Sequence, residues 1–322
     1  MKNAENVIET VVEFPSSNGT DTVVGYFYTC PDVQPVAIVQ ISHGMIEYVR
    51  RYAALAGYLA AQGYAVCGND HLGHGATSSD TGRDGYFAEQ NGADFVLEDL
   101  HAMSEQARSR FPGLPLFLLG HSMGSFFARW YAERWGSELQ GLILSGTAGP
   151  NPASGIGLAL TELLTTLRGS TARSAFIEKL AFGAYCKRIP NAVTGKEWVT
   201  SDPEQLAAYV ADPKCSFTFT VSAYQELMRV LRIVSRKAWA STLPKTLPVF
   251  LFAGKEDPVG SYGKGVQLVT DRLRAAGVQD VTLKLFDGCR HEVLNEGPAV
   301  RAEIFADILQ WLNGHLPGRQ PA

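Results

Sequence analysis

The chain has 322 residues, of which 46% are hydrophobic and 19% charged, a composition typical of a soluble globular protein with a large core. Its net charge of −4 lacks the basic surplus of a general nucleic-acid binder, so no nucleic-acid partner is expected. The N-terminal segment has no apolar signal region, and no apolar run reaches the roughly 18 residues that span a bilayer. The five cysteines are widely spaced, which favours reduced thiols and a cytoplasmic location.

Short apolar stretches that suit buried strands alternate with segments of helical periodicity. The predicted strands are residues 7–14, 21–30, 36–41, 64–68, 115–119, 142–145, 249–253 and 281–286. The predicted helices between them are residues 52–61, 95–111, 125–135, 265–276 and 300–312. The last six strands predict a parallel sheet covered on both faces, and the first two extend it as an antiparallel edge.

This alternation stops between about Gly146 and Pro244, which predicts a helical cap inserted between the sixth and seventh strands. We therefore divide the chain into a core domain at residues 1–146, a cap at 147–244 and the rest of the core at 245–322. One helical face of the cap is formed by Ile156, Leu160, Leu163, Leu164 and Leu167. We expect this face to pack against the core, and transient contact with a membrane or micelle is the alternative.

A single G-x-S-x-G motif at residues 120–124 contains Ser122. It follows the predicted strand at 115–119 directly and precedes a helix that begins near Ser125. A strand, a tight turn and a helix in this order hold a serine in a strained conformation with its hydroxyl exposed, as a nucleophile requires. The alternative is a glycine-rich turn without chemistry. His121, inside the motif, is expected to pack or to form a hydrogen bond rather than to act as a base.

A serine nucleophile needs a histidine to accept its proton and an acid to orient that histidine. His291 follows the last predicted strand after a short loop and is the predicted base, whereas His315 lies in a Pro/Gly-rich tail. Asp257 follows the preceding strand and is the predicted acid, with Glu256 and Asp287 as its competitors. Serine, acid and histidine thus occur in the chain order that accompanies a G-x-S-x-G turn of this kind.

The loop after the strand at 36–41 predicts the second part of such a site. It contains a His-Gly pair, which is typical of the position of an oxyanion donor. The predicted donors are the backbone N–H groups of Met45 and Met123, because a backbone donor tolerates any side chain. His43 is expected to hold this loop rather than to react.

The segment NDHLGHG at residues 69–75 contains residue types that could ligate a metal. No other cluster of His, Asp or Cys pairs with it, so we predict a tight loop fixed by hydrogen bonds of Asp70 and His74. No metal and no cofactor are expected.

Taken together, these motifs resemble the monoacylglycerol lipase and lysophospholipase-like branch of the α/β-hydrolases. The matching segments are HGMIEYVRRY (43–52), NDHLGHG (69–75), GHSMG (120–124), LFAGKEDPV (251–259) and RHEVLNE (290–296). The resemblance implies an α/β-hydrolase fold, with a mostly parallel eight-stranded sheet flanked by helices and an inserted helical cap. It also implies a serine esterase that removes one acyl chain from a glycerol-type alcohol, a small-molecule substrate, without a cofactor.

The same resemblance implies that Glu47 and Arg51 help to position the polar head group. An ion pair between them at the start of a helix is the alternative. Three other functions remain open from the sequence: a lysophospholipase, a short-chain or xenobiotic carboxylesterase, and a catalytically inactive binding protein of the same fold.

Overall fold

The strands form one mostly parallel sheet in a computed structural model that describes residues 6–78, 82–151 and 154–318. The strands are β1 (Ile8–Pro15), β2 (Thr22–Thr29), β3 (Ala37–Ser42), β4 (Tyr64–Asn69), β5 (Leu116–His121), β6 (Gly141–Ser145), β7 (Val249–Gly254) and β8 (Val281–Phe286). Their order across the sheet is β1-β2-β4-β3-β5-β6-β7-β8. Only the β1–β2 and β2–β4 pairs are antiparallel, so the predicted mostly parallel sheet with an antiparallel edge is confirmed.

The helices cover both faces of this sheet. They are α1 (Ala53–Ala61), α2 (Gly92–Arg110), α3 (Met123–Trp135), α4 (Ser154–Arg168), α5 (Ala175–Phe182), α6 (Pro203–Ala211), α7 (Val221–Ser235), α8 (Trp239–Thr242), α9 (Lys264–Ala275) and α10 (Pro298–Gly314). Successive residues of the central strands face opposite sides, where α2, α3 and α9 cover one core layer and α1 and α10 cover the other. The strand β8 is an edge and only partly buried, although its apolar run predicted full burial.

Helices α4 to α8 lie between β6 and β7, where the cap was predicted. The expected burial of the apolar face of α4 is wrong for three of its five residues, because Ile156, Leu163 and Leu167 are 73%, 55% and 71% exposed. The face of α4 that meets α7 instead carries small side chains, among them the buried Thr161. Small side chains let two helices approach closely, which leaves the leucine-rich face outside. The boundaries 147 and 244 stay a prediction.

Two expectations from composition concern cysteines and membrane spans. All five cysteines are unpaired, and four of them are buried. Within the described parts of the chain, no helix combines the length and the apolar character needed to cross a bilayer.

Candidate active site

Ser122 occupies a strained turn between the end of β5 and the start of α3. Its φ of 51° lies in a region that residues other than glycine seldom adopt. Its N–H donates to the Ser145 carbonyl at 3.0 Å, and the Ser125 N–H and hydroxyl donate to its carbonyl at 2.9 and 2.6 Å. The predicted turn is therefore present. The helix begins at Met123, two residues earlier than predicted, because the turn leads straight into it.

The two glycines that flank this turn allow the strand and helix to approach each other. A Cβ on Gly124 would overlap the backbone carbonyls of Ser42 and His43. A Cβ on Gly120 would overlap the Gly124 carbonyl and lie 2.7 Å from Ala128 Cβ. Backbone atoms cannot move aside as the end of a flexible side chain can, so both positions require glycine.

Substitution of Gly124 by alanine should lower the free energy of unfolding by about 1–3 kcal/mol, the usual cost of overpacking a dense site. Urea denaturation measures this change. Gly57→Ala is the matched control, because Gly57 lies within α1 and a Cβ there meets nothing within 4 Å. The control should stabilise the protein by about 1 kcal/mol through helix propensity. Equal stability of Gly124→Ala and the wild type would contradict the packing argument.

The predicted acid and base lie next to each other at the carboxyl ends of β7 and β8. His291 Nδ1 is 3.0 Å from Asp257 Oδ2, at an angle that departs from a well-aligned hydrogen bond. Asp257 is fully buried, and its Oδ1 accepts the Val259 N–H at 2.8 Å. A buried carboxylate fixed by its own loop can orient the imidazole and leave Nε2 directed away from the acid.

The alternatives to Asp257 and His291 lie outside the cavity beside Ser122. Glu256 is exposed. Asp287 is exposed and pairs with Lys255 Nζ at 2.7 Å. His315 Nε2 lies 2.9 Å from Asp280 Oδ2 near the C-terminus. None of these side chains lines the cavity beside Ser122.

Ser122 and His291 line the same cavity, whose volume is about 590 Å³. A Cβ on Gly146 would lie 3.1 Å from both His291 Cε1 and His121 Cε1, and the rings of these two histidines are 4.7 Å apart. The described residues show no hydrogen bond between the Ser122 hydroxyl and His291. Hydrogen bonds of this kind are often long without substrate and tighten when it binds.

The loop that carries Met45 is fixed on both sides of this residue. Before it, the Gly44 carbonyl accepts a hydrogen bond from His43 Nδ1 at 2.8 Å. After it, the Ile46 N–H donates to His74 Nε2 at 3.2 Å. Burial lowers the pKa of both histidines, that of His74 to about 4, so both rings are neutral and hold the loop as predicted. Met45 and Met123 line the cavity, and neither N–H donates to an acceptor within the described residues.

The loop at residues 69–75 is fixed by hydrogen bonds, as predicted. Asp70 accepts the N–H groups of Val49 and Ala76 at 2.9 and 2.7 Å and the Tyr26 hydroxyl at 3.1 Å. Burial raises the pKa of Asp70 to about 6. Its carboxylate therefore joins this loop to the end of the loop that carries Met45 and to β2.

Glu47 and Arg51 form the ion pair that the sequence left as an alternative. Arg51 Nε lies 3.6 Å from Glu47 Oε2, and the same guanidinium pairs with Glu292. Glu47 Oε1 accepts from Tyr52 at 2.7 Å and from the Gly44 N–H. Glu47 and Glu292 line the cavity, whereas Arg51 does not. Sequence reasoning missed Glu292, although its position directly after His291 was a signal. Head-group contact by Glu47 stays a prediction.

Burial and the neighbouring Glu292 raise the pKa of Glu47 to about 7, against the opposing effect of Arg51. Burial lowers the pKa of His291, but the carboxylates of Asp257, Glu292 and Glu47 outweigh it. The pKa of His291 is therefore raised above its usual 6.5. A base must be neutral to accept a proton, so activity should be present above this raised pKa and lost as the pH falls through it.

Glu292→Gln removes one of the carboxylates that favour the imidazolium form of His291. The acid limb of the profile of kcat/KM against pH should then move to lower pH. The profile is measured on a short-chain ester between about pH 5 and 9, a range that brackets an ordinary histidine pKa. An unchanged limb, or a limb moved to higher pH, would show that Glu292 does not act on His291 through its charge.

The cavity lies between the turn at Ser122 and the cap, and its walls have an apolar and a polar part. The cap contributes apolar side chains, among them Ile177, Phe182, Tyr224, Leu227, Met228 and Leu231. Glu47 and Glu292 provide polar groups near Ser122. A mostly apolar cavity with few polar groups is typical of a small-molecule site.

A strained serine at the end of β5 and a buried histidine–carboxylate pair at the ends of β7 and β8 place the protein among the serine hydrolases. The Hydrolase_4 family, described as "Serine aminopeptidase, S33", matches residues 33–298. The chain belongs to this family, within the monoacylglycerol lipase-like branch of the α/β-hydrolases, and is a serine ester hydrolase.

Three known proteins illustrate the similarity. The monoacylglycerol lipase of Mycolicibacterium smegmatis is 30% identical, over 89% of this chain and 91% of its own length. The monoglyceride lipase of Homo sapiens is 28% identical, over 89% of this chain and 85% of its own length. The crystal structure of a thermostable carboxyl esterase from Bacillus coagulans in complex with glycerol matches with a TM-score of 0.90. That esterase is 33% identical, with 96% of this chain and 99% of the other covered.

Proposed function

We propose that this enzyme hydrolyses esters of one acyl chain with a small polar alcohol, of the monoacylglycerol or lysophospholipid kind. The observation that carries this proposal is the cavity, which joins an apolar wall from the cap to polar groups near Ser122. Each buried CH₂ contributes about 0.8 kcal/mol, so a chain of several carbons gains substantial affinity from such a wall. Relatives named as monoacylglycerol lipases, and a similar esterase that binds glycerol, support a glycerol-type alcohol.

In the proposed reaction the Ser122 hydroxyl attacks the ester carbonyl while its proton passes to His291 Nε2. The Nδ1–H of His291 is oriented by Asp257, whose charge stabilises the imidazolium that forms. The N–H groups of Met45 and Met123 bind the negative oxygen of the tetrahedral intermediate. Each donor of this kind contributes about a hundredfold to a thousandfold in rate.

The intermediate collapses to an acyl-enzyme when the C–O bond to the alcohol breaks. The alcohol oxygen takes the proton from His291 and leaves. Water then attacks the acyl-enzyme, gives a proton to His291 and releases the fatty acid with the Ser122 hydroxyl restored. No cofactor enters this sequence, because the carbonyl is activated by hydrogen bonds alone.

A chain-length series tests the substrate class. We expect kcat/KM on monoacylglycerols and on p-nitrophenyl esters from C2 to C16 to peak well above C4. A maximum at C2 to C4 would instead identify a short-chain carboxylesterase. Equal rates of hydrolysis on lysophosphatidylcholine and on monoacylglycerol would extend the substrate class to lysophospholipids. If the protein neither hydrolyses any of these esters nor reacts with a fluorophosphonate, the remaining function is that of a catalytically inactive binding protein.

The outer face of the cap supports a second part of the proposal, contact with a lipid surface. The exposed apolar side chains on α4 and α5 that do not line the cavity are Leu163, Leu167 and Phe176. Residues 154–196 carry six Lys or Arg and two Glu, although the whole chain has a net charge of −4. An apolar face on a segment with a surplus of basic residues suits a surface that contains anionic lipid. The unpaired thiols favour the cytoplasmic side of that surface.

The double variant Leu163→Glu/Leu167→Glu should reduce co-sedimentation with vesicles that contain anionic phospholipid. Neither leucine lines the cavity, so hydrolysis of a water-soluble short-chain ester should stay at the wild-type rate. The matched control is Leu268→Glu, because Leu268 is 42% exposed on α9, outside the cap. Vesicle binding that is equal in the wild type and the double variant would contradict lipid contact through this face.

A further inference from the structure

The segment of the cap at residues 197–202 runs along the loop that carries His291. The His291 N–H donates to the Trp198 carbonyl at 3.3 Å, and the next N–H along the chain donates to the Val199 carbonyl at 2.7 Å. The Arg290 guanidinium donates to the Glu197 carbonyl at 2.8 Å. Hydrogen bonds from three successive residues, Arg290 to Glu292, therefore join this part of the cap to the loop.

A buried carboxylate fastens the same segment. Glu296 is fully buried and accepts the Ser201 N–H and hydroxyl at 2.9 and 2.7 Å and the Thr200 hydroxyl at 2.8 Å. Its other oxygen accepts the Arg290 N–H at 2.7 Å. Separation of the segment from the His291 loop would remove all three partners of Glu296 Oε2, which is costly for a buried carboxylate. This part of the cap is thus a fixed wall of the site.

Trp198 brings an indole ring from this wall against the imidazole. The rings of Trp198 and His291 are 5.2 Å apart with an angle of 44° between their planes. The His121 ring lies 4.7 Å from the same imidazole. Trp198 also stacks on Phe182 at 5.9 Å and meets Tyr185 at 5.0 Å, and both of these line the cavity. One indole therefore contacts the predicted base and the apolar wall.

We propose that Trp198 is a positioning residue for His291, an inference that rests on the proposed function of the site. Its ring restricts rotation of the imidazole, so that Nδ1 stays on Asp257 while Nε2 faces Ser122. An aromatic face within about 6 Å also favours the imidazolium that forms during the reaction. The indole Nε1 has no hydrogen-bond partner within the described residues, so the ring, and not its N–H, carries this role.

Two substitutions of Trp198 separate this role from a structural one. Trp198→Met fills the space without a ring and should lower kcat on p-nitrophenyl acetate at least about tenfold, part of the contribution that a well-placed general base makes. Trp198→Phe keeps a ring and should stay within about threefold of the wild type, because the missing N–H was unpaired. Acetate is too short to need the acyl wall, so the loss should be similar on acetate and on long acyl chains.

Trp135→Met is the matched control, since the Trp135 indole also stacks on an imidazole, that of His101 at 4.2 Å, but does not line the cavity. It should leave kcat on acetate unchanged. The proposal is overturned if Trp198→Met behaves like Trp135→Met, or if Trp198→Met and Trp198→Phe lose equal activity. Thermal unfolding checks each variant, and Trp198→Leu replaces Trp198→Met if the latter does not fold.

Failure of this inference is distinct from failure of the proposed function. A wild type that hydrolyses esters through Ser122, together with a fully active Trp198→Met, refutes only the positioning role. A wild type without hydrolysis or Ser122 labelling refutes the proposed function itself.

Discussion

Replacement of Ser122 by alanine should lower kcat/KM by at least about 10⁴-fold on every ester that the wild type hydrolyses. The variant keeps the backbone turn and the proposed oxyanion donors but lacks the proposed nucleophile, so no acyl-enzyme should form. Removal of a nucleophile in a site of this kind leaves only the small catalysis that binding and oxyanion stabilisation provide. Initial rates on p-nitrophenyl esters and on a monoacylglycerol measure the effect.

The control for this variant is Ser109→Ala, because Ser109 is exposed on α2. It should hydrolyse both substrates at the wild-type rate. Circular dichroism should show that Ser122→Ala is folded. If Ser122→Ala kept more than about one hundredth of wild-type activity, another residue would form the covalent bond, because loss of the nucleophile removes far more.

Asp257→Asn should lower kcat by about 10⁴-fold with little change in structure. The asparagine amide can donate to His291 Nδ1, which favours the tautomer with its proton on Nε2, where a base must be free. It also removes the charge that stabilises the imidazolium. Saturating kinetics on a short-chain ester measure kcat directly.

Asp287→Asn and Glu256→Gln are the matched controls, since both side chains are exposed acids near the same strand ends. Each should stay close to wild-type kcat, because neither reaches the cavity. A large loss of kcat in either control, together with an active Asp257→Asn, would show that Asp257 is not the acid that orients His291.

The sheet could be predicted from the sequence because parallel strands covered on both faces must be apolar along their whole length. Such runs are visible in residues 115–119 and 249–253, and observed strands begin within one residue of both. Ser122, Asp257 and His291 each follow a predicted strand, which places each of them at the carboxyl end of that strand. Their proximity follows from the sheet, because these ends share one edge.

The cap could not be predicted in the same way. Helical periodicity in α4 shows that Ile156, Leu163 and Leu167 share a face, but not whether another element covers it. The small side chains that α4 turns toward α7 gave no apolar signal. Trp198 was also missed, since its contact with His291 depends on how a segment without regular structure docks 93 residues away in the chain.

The central claim is that Ser122 is activated by His291 in one site, and covalent labelling with a fluorophosphonate tests it most directly. Mass spectrometry of the digested adduct should find the label on Ser122 alone. Labelling should be far slower in His291→Ala and absent after denaturation. A label on another residue, or a wild-type labelling rate in His291→Ala, would contradict the account.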